Sequence, residues 1–208
     1  RNKPQRRRVL ILGAGVSGSQ TARIAAGHGH TVEIWEQSER VGGQIRLAIA
    51  APDKKEVEAA WTYPWEEVGQ LGDPVRTGVA VTAELIRGFN PDLIVLATGA
   101  LPKPAPFDVS AVGASVTVVQ AWDVLAEPQR VKQGARVTII GGGTVGLETA
   151  DLLVARGCVA TLIEPQAVLA AGLSKSNRAE VIDRLRAAGT DMRTRTSVTR
   201  ASGTTLEL

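Results

Sequence analysis

Residues 8–36 read RVLILGAGVSGSQTARIAAGHGHTVEIWE, and the order of residue types in this stretch decides the fold. The apolar run Val9, Leu10, Ile11, Leu12 is that of a buried parallel strand, and it stops at Gly13. Gly13, Gly15 and Gly18 follow in the order G-x-G-x-x-G, and an alanine-rich helical pattern runs from Val16 to about Gly27. A second apolar strand, Thr31–Trp35, ends at Glu36. Each glycine has a separate task. Gly13 turns the chain off the strand, Gly15 leaves the backbone bare for a pyrophosphate, and Gly18 lets the helix close on the strand. Ala14, Val16 and Ser17 complete the turn, where unpaired N–H groups and the helix dipole face the phosphates. Glu36 stands about 20 residues further on, with Gln37 beside it, where a carboxylate accepts from an adenosine ribose. The spacing alone is a weak signal. Its setting of strand, turn, helix, strand and acid makes it a nucleotide-binding unit rather than merely a tight turn.

The pattern returns at 136–164, RVTIIGGGTVGLETADLLVARGCVATLIE. Arg136–Ile140 is a strand, Gly141, Gly143 and Gly146 repeat the fingerprint, and a helix is expected from Val145 to Arg156, with Thr144 and Val145 at the cofactor-binding turn before and at its start. Residues 159–163 form the next strand, ending at Glu164. The interval is that of a domain, so this is a duplicated binding unit and not a solenoid. The expected fold class is α/β, with two Rossmann-like parallel-sheet units that bind dinucleotides. The expected division is a basic leader over residues 1–8, a first unit over 9–130 and a second over 131–208.

Composition agrees with layered α/β structure. Of 208 residues 44% are apolar but only 3% aromatic, so the core is aliphatic and alanine-rich. The formal charge of +3 is concentrated at the start, in Arg1, Lys3, Arg6, Arg7 and Arg8. Without interleaved aromatics, and abutting a buried strand, this run reads as a solvated leader or connector rather than a nucleic-acid site. Cys158 has no second cysteine to pair with, which excludes an internal disulfide and a cysteine-ligated cluster within this chain. His28 and His30, either side of Gly29 in a turn, make a poor metal site. No apolar run has transmembrane length and no signal-peptide core is present, so the expectation is a soluble, cytoplasmic protein.

Between the fingerprints the signals are coarser. Residues 40–44, RVGGQ, place Gly42 and Gly43 after the strand has already ended, which points to a second close approach of backbone to cofactor or to a left-handed turn. A short helix is expected after Ile45, and a longer one over 54–71 with a break or kink at Pro64 and with Trp61 and Trp65 as packing anchors. Strand character is expected over 75–81, and a helix over 83–88 capped by Thr82. Residues 92–99, DLIVLATG, read as another buried strand, whose Thr98 and Gly99 let backbone lie against a ligand or a neighbouring strand. The prolines at 102, 104 and 106 make an extended connector, 115–119 a short strand and 121–126 a short helix. After the second unit, 174–188 is helical, and 192–196, 198–201 and 204–208 read as short strands.

With both fingerprints in view, the sequence resembles the C-terminal nucleotide-binding region of NADH:flavin oxidoreductases of the old yellow enzyme type, as in 2,4-dienoyl-CoA reductases and trimethylamine and histamine dehydrogenases. The resemblance rests on RVLILGAGVSG, EQSERVGGQIRLAIAAPDKKEV, NPDLIVLATGALPKP, QAWDVL and RVTIIGGGTVGLETADLL, which run through most of the chain. It implies that Gly13, Ala14, Gly15, Gly18 and Glu36 hold the adenosine diphosphate part of FAD. Gly42, Gly43 and Gln44 would pass its pyrophosphate and ribityl chain, and Thr98 and Gly99 would lie beside the same cofactor. Gly141, Gly143, Gly146 and Glu148 match the NAD(P)H unit. In the amine dehydrogenases the first site holds ADP instead, and NAD(P)H plays no part. The resemblance further implies a barrel domain with FMN and a four-iron cluster, none of whose residues have positions here. In that family a later strand completes the first unit, so the chain is expected to be part of a larger flavoprotein.

Glu164 bears on coenzyme choice: a carboxylate there accepts from the ribose hydroxyls of NADH and repels a 2′-phosphate, and neither Pro165 nor Gln166 supplies a cation. Glu148 either faces the nicotinamide ribose or is an exposed helical acid. The function expected is hydride transfer from NADH to FAD and onward to the barrel domain, with the cofactors supplying the chemistry and no side chain of this chain acting as acid or base. The alternative is a structural ADP-binding domain.

Overall fold

The structure, a computed structural model, describes residues 5–208 apart from the side chain of Lys55. Residues 1–4 of the expected leader, with Arg1 and Lys3, lie outside the described residues. Arg8 is no longer part of a leader: it opens β1, and its guanidinium stacks 4.5 Å over the Phe89 ring.

The chain divides into two compact units, one comprising the residues up to Ile49 and Lys54–Leu101, the other Ala50–Asp53 and Pro102–Leu208. The first contains β1 (Arg8–Leu12), α1 (Val16–Gly27), β2 (Thr31–Trp35), α2 (Ile45–Ala48), α3 (Lys55–Gly69), β3 (Val75–Arg76), α4 (Ala83–Phe89) and β4 (Leu93–Leu96). Its sheet has the order β3-β2-β1-β4, all parallel. Because side chains alternate along a strand, β1 feeds two cores. Val9 and Ile11 pack with Ala22, Ile34 and Val68 on the side of α1 and α3, while Leu10 and Leu12 pack with Trp35, Ile86 and Phe89 on the side of α4. Thr82 caps α4 by accepting from the Leu85 N–H.

Three expectations are corrected here. Residues 92–99 do not form a buried strand: β4 is the sheet edge, and Leu96 is 75% exposed. The expected strand over 75–81 shortens to β3. Pro64 does not break α3, which runs through it, since a proline removes a single N–H and here sits buried in the helix.

The second unit contains α5 (Ala121–Ala126), a 3-10 turn at Pro128–Arg130, β5 (Arg136–Ile140), α6 (Thr144–Ala155), β6 (Val159–Glu164), α7 (Lys175–Ala187), β7 (Asp191–Thr194), and the hairpin β8 (Arg200–Ser202) and β9 (Thr205–Glu207). Strands β5, β6 and β7 form a parallel sheet in that order. Leu147 and Ala150 of α6 and Val181 and Leu185 of α7 bury its inner face with Ile139 and Leu162. Residues from Pro102 onward pack with this unit: Val124 of α5 is buried against Leu153 and Cys158. Residues 115–119 do not form a strand; a β-branched run needs a ladder partner, and none pairs with it among the described residues. No helix among the described residues is long and apolar enough to cross a membrane.

Candidate functional site: two acid-braced glycine turns

In the first unit the chain leaves β1 at Gly13, whose φ of 108° is closed to other residues and whose Cβ, if it had one, would strike the Ala97 carbonyl after β4. Gly15 is the N-cap of α1 and makes no side-chain cap, so the first N–H groups of the helix have no side-chain acceptor from the N-cap. A Cβ on Gly18 would collide with the Gly13 carbonyl, which makes this glycine the condition for helix and strand to meet. A Cβ on Gly15, by contrast, would meet nothing closer than the Gly42 carbonyl at 3.9 Å. A side chain at Gly15 would thus be in ordinary contact with the Gly42–Gly43 segment and would not clash, so packing does not demand a glycine there.

Glu36 is buried at the end of β2 and braces the turn. One carboxylate oxygen accepts from the Ala14 N–H at 2.7 Å, and the other from the N–H and hydroxyl of Ser38 at 2.9 and 2.5 Å. Burial alone would raise its pKa, but the hydrogen bonds from Ser38, Ala14 and Gln37 outweigh it and hold the carboxyl below its ordinary value. A strap then crosses the turn: the Gly42 N–H donates to the Ala14 carbonyl at 2.8 Å, and a Cβ on Gly43 would lie 3.1 Å from the Gly15 Cα. Gln44 donates to the Ala100 carbonyl at 3.1 Å and lies against Gly99. The three stretches singled out in the sequence of this unit, 13–18, 42–44 and 98–99, thus converge on one turn. Val16 and Ser17 stand in the first turn of α1, and Gln37 is exposed beside the acid.

The second unit repeats the construction. Gly141 has φ 102°, Gly143 is the uncapped N-cap of α6, and a Cβ on Gly146 would strike the Gly141 carbonyl. Glu164 accepts from the Gly142 N–H at 2.6 Å and from the Gln166 N–H at 2.7 Å. The strap here is the Ala170 N–H donating to the Gly142 carbonyl at 2.7 Å. Leu169 and Glu164 press so closely on Gly142 that a side chain there would not fit. Nothing lies within 4 Å of a Cβ placed on Gly141 or Gly143, so this turn is open where a phosphate would approach. Gly141 lacks the neighbour that Gly13 has because β5 has no strand on its outer side among the described residues. Thr144 and Val145 open α6, and Val145 is exposed. Glu148 is 6% exposed, which excludes the surface-acid alternative.

Ser38, Gln166, Leu169 and Ala170 were not singled out by sequence. Ser38 carried a signal, a hydroxyl two residues after an acid in a turn. Ala170 carried none: it holds φ 43° as an alanine, where a glycine would have announced the turn.

A turn with bare backbone at its centre, an uncapped helix end above it and an acid tied to its second N–H is the construction of a protein that holds dinucleotides on parallel sheets, and here it is built twice. The chain belongs to the pyridine nucleotide-disulphide oxidoreductase family, whose model matches residues 7–207. It is 35% identical over 198 residues to the NADH oxidase of Thermoanaerobacter brockii, covering 94% of this chain and 30% of that protein. It is 32% identical over 203 residues to the bilirubin reductase of Mediterraneibacter gnavus, covering 98% of this chain and 31% of that protein. Among solved structures, a 2-naphthoyl-CoA reductase complex matches with a TM-score of 0.83 at 26% identity, over 95% of this chain and 29% of the other. Histamine dehydrogenase from Rhizobium sp. 4-9 matches with a TM-score of 0.78 at 21% identity, a likeness of fold, over 95% of this chain and 32% of the other. The chain spans 30% and 31% of the length of the two curated relatives. It is thus a domain of that family, with its FAD/NAD(P)-binding Rossmann-like fold.

Proposed function

We propose that this chain is the nucleotide-binding part of a larger flavoprotein oxidoreductase of the old yellow enzyme type, with FAD seated at the Gly13–Gly18 turn and NADH at the Gly141–Gly146 turn. The observation that carries this reading is the doubled, acid-braced turn: Gly13, Gly18 and Gly146 are required by packing or positive φ, whereas Gly15 and Gly143 have no packing neighbour that demands a glycine, as a backbone bared for a pyrophosphate would have. When bound, the two cofactors supply hydride chemistry from nicotinamide to flavin.

The residues of the chain bind and orient. The uncapped N–H groups at the start of α1 and α6 receive phosphate oxygens, and Val16, Ser17, Thr144 and Val145 shape those helix ends. Glu36 and Glu164 keep their turns in register through the Ala14 and Gly142 N–H groups and present remaining lone pairs to ribose hydroxyls. Glu164 has no cation beside it in Pro165 or Gln166, which favours NADH over NADPH. Gly42, Gly43, Gln44, Thr98 and Gly99 border the flavin side of the first site, and Glu148 is a buried acid of α6 in the second. In the larger, cytoplasmic flavoprotein a barrel domain outside this chain would hold FMN and a four-iron cluster and would supply the onward electron-transfer chemistry.

The test is the identity of the bound nucleotides. Full-length protein is denatured and the released ligands are weighed by mass spectrometry, and NADH is titrated against the flavin absorbance. FAD release with bleaching by NADH and not NADPH is the expected result. ADP release with no response to NADH would replace this reading with a structural nucleotide domain.

A further inference from the structure

Arg46, on α2, differs from the other arginines described in the first unit. Arg23, Arg76 and Arg87 pair with Glu67, Glu33 and Glu84, and Arg8 is held by the Phe89 ring. Arg7 and Arg40 are exposed. Arg46 is half-buried, and its side chain has no hydrogen bond or ion pair among the described residues. What is covered is its aliphatic stem, and a guanidinium with no acceptor among the described residues is available to an anion.

Its position says which anion. The Arg46 Cγ and Cδ lie 3.0 Å from where a Cβ on Gly42 would stand, with the Trp61 ring 3.5 Å away on the same glycine. Gly42 and Gly43 are the strap across the first turn, bonded to Ala14 and closed on Gly15. The stem of Arg46 is therefore laid along the backbone strap that faces Gly15. No acid stands in the first turn of α1 to compete for it. The second unit has no counterpart: its strap residue is Ala170, and four residues on, where the first unit has Arg46, it has Ser174, which caps α7.

We propose that Arg46 is the cationic clamp of the first site, its planar fork binding the diphosphate of an adenine nucleotide seated at the Gly13–Gly18 turn. This rests on the reading of that turn as a nucleotide site, and it makes the two sites unequal: the first holds its diphosphate by backbone and a side-chain cation, the second by backbone alone.

The experiment is calorimetric titration of the full-length protein, stripped of bound nucleotide, with ADP and with adenosine, at two salt concentrations, in wild type, Arg46→Met and Arg46→Lys. Methionine keeps an unbranched stem against Gly42 and removes the charge; lysine keeps the charge and removes the fork. Arg46→Met is expected to weaken ADP by about tenfold or more and to flatten its salt dependence, with adenosine affinity and the melting temperature of the free chain unchanged. Arg46→Lys is expected to fall between. Equal ADP affinity in wild type and Arg46→Met overturns the Arg46 assignment alone. A parallel loss of adenosine affinity overturns it as well, since it would mark a role in shape rather than charge. A wild-type chain that binds neither ligand overturns the reading of the first site and the clamp with it.

Discussion

A single carboxylate does two jobs in each unit, and its titration exposes the first of them. Glu36 is held ionised by Ser38, Ala14 and Gln37 against the pull of burial, so its folded pKa lies below the ordinary 4.5. A group depressed in this way adds stability that is fully present above the unfolded value and is lost as pH falls through the folded one. Thermal melts are therefore expected to drop steeply below about pH 4.5 in wild type and to drop less in Glu36→Gln, which has no proton to gain there. Equal slopes in the two chains would refute the brace. The glycines separate in the same way. Gly146→Ala puts a methyl into the Gly141 carbonyl and should cost about 3 kcal/mol or more in denaturant melts. Gly143→Ala meets open space at a negative φ, so it should change stability by no more than about 1 kcal/mol while NADH binding, followed by fluorescence, falls at least about tenfold. If both variants bind NADH as wild type does, the second turn is not a nucleotide site.

At the scale of elements, one arginine with two carboxylate partners joins three pieces of the second unit. Arg184 of α7 forks onto Asp151 of α6 through bonds of 3.1 and 2.6 Å and reaches Asp53 at 3.4 Å. Asp151 is buried, and its hydrogen bonds hold the guanidinium pKa above its ordinary value. Because the Arg184 side chain is 38% exposed, solvent screens the pair, and Asp151→Ala should cost about 2 kcal/mol rather than the larger penalty of a fully buried one. Asp53→Ala, at an exposed partner, should cost less than about 0.5 kcal/mol; a chemical-denaturation series over both variants checks the ranking.

What the sequence disclosed at this scale follows from the range of the forces involved. Both strand–glycine–helix–strand–acid units were legible because each signal is local: a run of apolar residues, a glycine offset, an acid at a strand end. The exposure of β4 was not, since an apolar run such as Leu93–Leu96 says strand but does not say edge. The loss of the strand over 115–119 has the same cause, because its partner is a matter of tertiary pairing. Pro64 was over-read: one absent N–H does not end a helix that packing holds on both sides of it. Within the site, the glycines and acids could be named, whereas Arg46 and Leu169 act through neighbours that only the fold brings near.

For the molecule as a whole, the margin of the first sheet matters most. Leu93, Ile94 and Leu96 are exposed on β4, and the outer edge of that strand has no ladder partner among the described residues. Such an edge invites pairing with another chain. Leu96→Lys is expected to suppress concentration-dependent self-association in sedimentation velocity while changing the melting free energy by no more than about 0.5 kcal/mol. Unchanged association would mean that the edge is not where copies meet. If instead association falls, the concentration at which a stock of this chain stays clear is set by the four residues of that sheet border rather than by either glycine turn.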